Sequence, residues 1–200
     1  MIKIEIKNKA QYKKTQWLGG ETTEFYIYPI DSNYKDKKFD FRLSSANFSL
    51  DDSTFTEYSD YMRFIAPLKG KLDMNHIGHH NILLNTFETD YFDGDWVTKC
   101  KPSPGCADFN LIVRKGLKAG LRTLSFDKSY ESMERSVICA YCINPKAEAL
   151  ISSSGKKHLI QLSEGEMLVI NHDETIQLLL RNKCDKPQLF IADVRVSDIH

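Results

Sequence analysis

Apolar residues recur along this chain at short period. Phe25–Pro29, Phe39–Ser44, Met62–Leu68, Lys71–His76, Asn81–Leu84, Phe109–Arg114, Ser136–Asn144, His158–Leu162, Met167–Asn171, Thr175–Arg181 and Gln188–Val196 all read as strands. They are rich in Ile, Leu, Val, Phe and Tyr, and most are separated by Gly, Asp, Asn, Ser or Pro. Helical spacing is scarce, and only Tyr130–Arg135 is expected to form about one helical turn. Many short strands at close spacing predict an all-β sandwich or barrel.

The pattern also repeats. Asp93-Gly94-Asp95-Trp96-Val97 is matched by Glu164-Gly165-Glu166-Met167-Leu168, and Phe109-Asn110-Leu111-Ile112-Val113-Arg114 by Ile176-Gln177-Leu178-Leu179-Leu180-Arg181. In each acidic-Gly-acidic turn the glycine is expected to supply a positive φ, and the flanking carboxylates to accept backbone N–H bonds. Two such halves predict a duplicated small β-barrel: an all-β bicupin of two fused cupin-type lobes, approximately 1–125 and 126–200.

Composition narrows the functional classes. The chain has 200 residues, with Lys+Arg and Asp+Glu both 27, so its formal net charge is zero. A broad field for nucleic acid or anionic lipid is not expected. No apolar run of about 18 residues occurs, so no membrane span is expected. The opening Met-Ile-Lys-Ile-Glu-Ile-Lys lacks an apolar signal core, which makes a cytoplasmic location the expectation. The five cysteines are odd in number and read as reduced thiols. Cys139 and Cys142 form C-x-x-C, but on a strand residues three apart point to opposite faces, so plain buried thiols are expected.

Several blocks resemble the HutD/Ves family, whose members have the bicupin fold. Gly19-Gly20-Glu21-Thr22-Thr23-Glu24 resembles its G-G-x-T-x-E stretch. Phe39-Asp40-Phe41-Arg42-Leu43-Ser44-Ser45-Ala46 resembles F-x-W-R-x-S-x-A, with Phe41 where Trp is common. Phe55–Arg63 matches F-S-x-F-x-G-x-x-R in spacing, and Phe92-Asp93-Gly94-Asp95 matches F-x-G-D. Asp108–Arg114 is close to D-F-N-L-M-x-R and is the most specific block. The blocks keep family order across residues 19–114. A Trp and an Asn usually precede the glycines; here Trp17 sits closer to Gly19, with Leu18 in the gap. The resemblance implies a non-catalytic small-molecule sensor or modulator. Its HutD branch is linked to histidine utilisation, with an intermediate such as urocanate or formylglutamate as suggested ligand, and its Ves branch to stress response.

The matched residues suggest a site. Arg42 and Ser44 are two apart on a strand and share a face, as do Asp108, Asn110 and Arg114, with Phe109, Leu111 and Val113 opposite. A polar face can look into a barrel. Arginine is costly to bury unpaired, so Arg42, Arg63 and Asp108 must pair with one another or hold an anion. The expected ligand-binding set is therefore Thr22, Arg42, Ser44, Arg63, Asp108 and Asn110, around a small anionic metabolite such as a carboxylate. The same set could instead close the barrel as scaffold. Arg114 is expected to be structural, and Gly94 and Asp95 turn formers.

No cofactor or catalytic residue is expected. His76, His79 and His80 fall in Asn75–Asn81, which reads as a surface hairpin turn, and the G-x-H-x-H cupin metal motif is absent. No metal ligand is assigned. Glu21 and Glu24 are not a recognisable acid/base pair. A metal-dependent cupin enzyme of dioxygenase or isomerase type is the alternative, and a protein-interaction scaffold a third. Sheet-edge association into a homodimer is compatible with the fold.

Overall fold

The computed structural model describes residues 2–133 and 135–196. His200, which carries no assigned role, lies outside the described residues, as does Glu134 within the segment expected to turn as a helix. Among the described residues the chain forms nineteen strands and two single 3-10 turns, at Lys9–Gln11 and Tyr34–Asp36.

Two compact units divide the chain, one of residues 12–116 and the other of residues 1–11 with 117–200. The first strand, β1 (Ile2–Lys7), belongs to the second unit. The first lobe then holds β2 (Lys13–Trp17), β3 (Gly20–Tyr28), β4 (Phe41–Phe48), β5 (Ser53–Thr54), β6 (Tyr61–Lys69), β7 (Leu72–His76), β8 (His80–Leu84), β9 (Asp90–Asp93), β10 (Thr98–Pro102) and β11 (Ala107–Arg114). The second lobe adds β12 (Ala119–Leu124), β13 (Ser129–Ser132), β14 (Ser136–Cys142), β15 (Lys146–Ser153), β16 (Lys156–Ser163), β17 (Met167–His172), β18 (Ile176–Leu180) and β19 (Leu189–Arg195). The boundary thus falls near residue 116 rather than 125, and the N-terminal β1 joins the second lobe by pairing antiparallel with β17.

Each lobe has two sheets. In the first lobe the orders are β2-β3-β4-β11-β6-β9 and β5-β10-β7-β8; in the second they are β1-β17-β14-β19-β12 and β13-β18-β15-β16. Adding eight to β4-β11-β6-β9 and to β5-β10-β7-β8 gives the second lobe's orders. The duplication is real, but its register differs from the one the sequence suggests. The counterpart of β11 is β19, and that of β18 is β10. Backbone bonding agrees: Arg114 N donates to Asp40 O at 2.7 Å, just before β4, and Arg195 N donates to Lys118 O at 2.9 Å, just before β12. The acidic-Gly-acidic turns are likewise not equivalent, since one links β9 to β10 and the other β16 to β17.

Those turns use glycine in different ways. Gly165 has φ +84, the left-handed conformation anticipated for both. Gly94 has no positive φ. It is needed because a Cβ there would lie 2.3 Å from the Tyr58 carbonyl oxygen and 2.7 Å from that of Tyr61. Its own N–H donates to Tyr61 O at 2.9 Å, and its carbonyl accepts from Tyr58 N at 2.8 Å. The flanking carboxylate behaves as expected, Asp95 N donating to Asp93 Oδ1 at 2.9 Å.

Tyr130, Glu131 and Ser132 of the anticipated helical turn belong instead to the strand β13. Its residues alternate exposed and buried, with Tyr130 and Ser132 inside, and pair with β18. A period-two pattern this short carries no helical stripe. Cys139 and Cys142 are free and buried, and burial raises both thiol pKa values. Ile138, Ala140 and Cys142 join the second lobe's aliphatic core, and Cys139 falls on the opposite alternation. No helix among the described residues is long and apolar enough to cross a membrane.

Gly94→Ala is expected to destabilise the protein by about 2–4 kcal/mol through overlap with two carbonyls. Gly78→Ala, at an open turn with φ +82, should cost about 1 kcal/mol. Urea unfolding of the two variants measures the difference; equal losses would refute the close-approach argument.

Candidate functional site

The six residues singled out in the sequence line one cavity of about 300 Å³ in the first lobe. β3 contributes Thr22, β4 contributes Arg42 and Ser44, β6 contributes Arg63, and β11 contributes Asp108, Asn110 and Ile112. The ladder fixes the grouping. Asn110 pairs with Ser44, and Ile112 pairs with Arg42 on one side and Arg63 on the other. Trp17 and Phe48 stand at the wall, their rings edge to face at 6.4 Å. A side chain on Gly19 would overlap the Trp17 ring, at 2.0 Å from Cζ3, so the first glycine of the Gly19-Gly20 pair makes room for that aromatic.

The charges do not pair as the sequence alone implied. Arg42 bonds neither Asp108 nor Arg63. Its Nε donates to Glu24 Oε2 at 2.7 Å, with both side chains about nine-tenths buried, and its Nη1 reaches Ser44 Oγ at 3.4 Å. The guanidinium also lies 4.6 Å from the Tyr34 ring centre. Glu24 is a site neighbour that sequence reasoning missed. It sits two residues from Thr22, on the same strand face, and that spacing is the signal that could have found it. Asp108 is held by Ala46 N, which donates to its Oδ1 at 2.5 Å. Burial raises its pKa from 3.8 to about 7, against the Ala46 bond and the nearby Arg63 and Arg42 charges.

Arg63 is different. It is 5 % exposed, and its guanidinium lies 4.7 Å and 5.3 Å from the ring centres of Phe55 and Phe92. Its Nη1 makes one long bond, to Thr56 O at 3.4 Å. Its buried Nε has no hydrogen-bond partner, and neither does the buried Oδ1 of Asn110. Burial lowers the Arg63 pKa to about 10, which leaves it charged at neutral pH. The cavity is therefore lined by one cationic and one amide side chain, each with a buried polar atom that lacks a partner. Among its described lining residues none is His or Cys.

A HutD family model matches residues 9–186. The chain belongs to the HutD family. HutD from Pseudomonas fluorescens SBW25, in a structure of a formate condition, is 19 % identical with TM-score 0.73 over 96 % of this chain and 98 % of that one. A conserved protein of unknown function, PA5104 from Pseudomonas aeruginosa PAO1, is 20 % identical with TM-score 0.78 over 97 % of this chain and all of the other. A Bacillus subtilis oxalate decarboxylase variant is 8 % identical with TM-score 0.65, covering 98 % of this chain and 78 % of that one. At these identities the likeness establishes the cupin-like fold. No curated protein matches the chain.

Other residues of this HutD-family chain fall outside the cavity. Arg114 leaves the barrel face and pairs with Asp40 at 2.5 Å, its side chain half exposed. Lys115 bridges Asp93 and Asp95 at 2.7 and 2.9 Å. His172 is buried between Ser136 Oγ, 2.8 Å from Nε2, and Glu174 O, 2.7 Å from Nδ1, a scaffold arrangement. His76 corrects the hairpin reading. It is 1 % exposed, because Leu72, Met74 and His76 fall on the inward alternation of β7. His79 and His80 are exposed, as expected of a surface hairpin.

The raised Asp108 pKa predicts a pH dependence. Between about 4 and 7 the folded carboxyl keeps a proton that the unfolded chain releases, so its contribution to stability falls as pH rises through that window. Asp108→Asn keeps an oxygen for Ala46 N and cannot ionise. Its stability relative to wild type should therefore increase from pH 5 to pH 8 in urea titrations, and a pH-independent difference would refute the assignment.

Proposed function

We propose that this HutD-family protein is a non-catalytic, cytoplasmic sensor or modulator that binds a small carboxylate in the first-lobe cavity. The carrying observation is the buried Arg63 guanidinium, whose Nε lacks a partner, in the same cavity as the unmet Asn110 Oδ1. A guanidinium fork is suited to a carboxylate, and an unsatisfied buried donor gains most from one. Asn110 Oδ1 suits an N–H or O–H on the same ligand. Thr22 and Ser44 then orient it, and the Arg42–Glu24 pair forms a fixed wall.

About 300 Å³ is the lower end of small-molecule sites and matches a short acid rather than a nucleotide. The Pseudomonas fluorescens HutD structure is of a formate condition, so formate belongs in any ligand panel. A link to histidine utilisation adds urocanate and formylglutamate. An unmet cationic donor and an unmet amide acceptor on residues of one lining favour binding over metal-dependent turnover in this cavity.

Calorimetric titration with formate, urocanate and formylglutamate is expected to find at least one ligand that binds, and the same ligand should raise the melting temperature. Arg63→Gln should weaken that ligand at least tenfold, about 1.4 kcal/mol, with the circular dichroism spectrum unchanged. Affinity should rise as pH falls from 8 to 6, because protonating Asp108 removes a negative charge from the cavity. Ligand binding unaffected by Arg63→Gln, or no binding by any member of the panel, would refute the reading. Arg42→Ala is the poorer probe, since it strands Glu24 as well.

A further inference from the structure

A second cluster lies outside the cavity, in the same lobe. His76 and His80 face each other across the β7–β8 hairpin, and Asp90 opens β9 on the other sheet. His76 Nε2 is 2.9 Å from Asp90 Oδ2, and His80 Nε2 is 3.6 Å from Asp90 Oδ1. One ligand atom from each of the three lies within 4.8 Å of the others. Two ligand atoms on a tetrahedral zinc ion with bonds of about 2.1 Å are roughly 3.4 Å apart, so one ion fits once the 2.9 Å contact opens slightly and the longer separations close.

The hydrogen bonds around His76 are compatible with that ion. Thr98 Oγ1 is 3.2 Å from Trp96 O and 2.8 Å from His76 Nδ1. The hydroxyl has one hydrogen. Donated to the Trp96 carbonyl, it leaves Thr98 as acceptor for His76 Nδ1–H and frees the Nε2 lone pair for a cation; donated to His76 Nδ1, it leaves Nε2–H to bond Asp90, the arrangement without metal. A partner held on Nδ1 is also the usual way in which a ligating histidine is oriented. His76 and Asp90 are buried, and His80 keeps one side of the cluster open to solvent.

We propose that His76, His80 and Asp90 form a site for a borderline divalent transition metal of the zinc type, with the remaining position held by solvent. Two imidazoles and one carboxylate select such ions over magnesium or calcium. Because β7–β8 and β9 lie in different sheets, the ion would fasten one sheet to the other. The Phe92 ring lies 4.4 Å from His76, and Arg63 lies 5.3 Å from the same ring, which places the metal behind one side of the carboxylate cavity. The site stands independently of what that cavity binds.

The test uses untagged full-length protein stripped with a chelator and titrated calorimetrically with zinc chloride. One equivalent is expected to bind with low-micromolar affinity and to raise the melting temperature. His80→Asn alters an exposed ligand and should fold normally while weakening zinc at least tenfold, as should Asp90→Asn. His79→Asn, whose ring stacks on Trp96 at 3.8 Å, should leave zinc binding unchanged. Cobalt substitution should give the intense visible bands of a four-coordinate ion. Zinc binding that His80→Asn does not weaken would mark adventitious metal and overturn the proposal. Absence of binding at about 100 μM zinc would overturn it in favour of a proton shared between His76 and Asp90.

Discussion

A charged group inside a barrel of this size has to be answered by protein or by ligand, and that constraint organises the first lobe. Three charged side chains converge on one cavity, and two of them are answered locally. Arg42 has Glu24 at 2.7 Å, and Asp108 has the Ala46 N–H and a pKa shifted to about 7. Arg63 has two aromatic faces and one long carbonyl contact. The faces of Phe55 and Phe92 favour a cation but supply no acceptor to Nε. The guanidinium is thus held by aromatic faces while its Nε has no hydrogen-bond partner, which distinguishes it from the Arg42–Glu24 pair.

The second lobe fills the same framework differently. Sheet register places Ile138 at the position of Arg63, Ile191 at that of Asn110 and Leu189 at that of Asp108. All three belong to one continuous aliphatic core. Gly120 takes the place of Arg42, and Arg122 that of Ser44, by the pairing of β12 with β19. Strand order is thus shared between the lobes while the positions of Arg63, Asn110 and Asp108 change from polar to hydrocarbon, and Asp193, at the position of Ile112, accepts a bond from the Tyr130 hydroxyl. Well-packed hydrocarbon is the more stable filling for a barrel.

Much of this is legible from alternation. Strand period two reports which side chains share a face, and on sequence alone it groups Arg42 with Ser44 and Asp108 with Asn110. It fails at strand ends. Arg114 follows the same alternation as Asn110, yet β11 has reached the rim there, and the side chain turns out to Asp40. It also says nothing about partners across strands. Glu24 lies on the face of Thr22, but only the pairing of Glu24 with Ser44 across β3 and β4 brings it to Arg42. Beyond Glu24 a register shift interrupts the β3–β4 ladder, so the alternation cannot be carried through to Tyr26.

The repeat and the histidines mislead for a common reason. A run such as Ile176–Leu180 has the same composition as Phe109–Val113 because both are buried strands, and burial does not encode which neighbour a strand pairs with. Correspondence comes from the ladders, where Arg114 and Arg195 each bond the residue before the lobe's β4 or β12 edge. Likewise His76-Ile77-Gly78-His79-His80 looks polar and turn-like as a string. Only Ile77, Gly78 and His79 lie in the turn; His76 and His80 are its paired flanks, and the β7 phase set by Leu72 and Met74 carries His76 inward. A buried imidazole beside a carboxylate then needs a proton or a metal ion between them, a requirement that arises from packing and that no spacing motif could have announced.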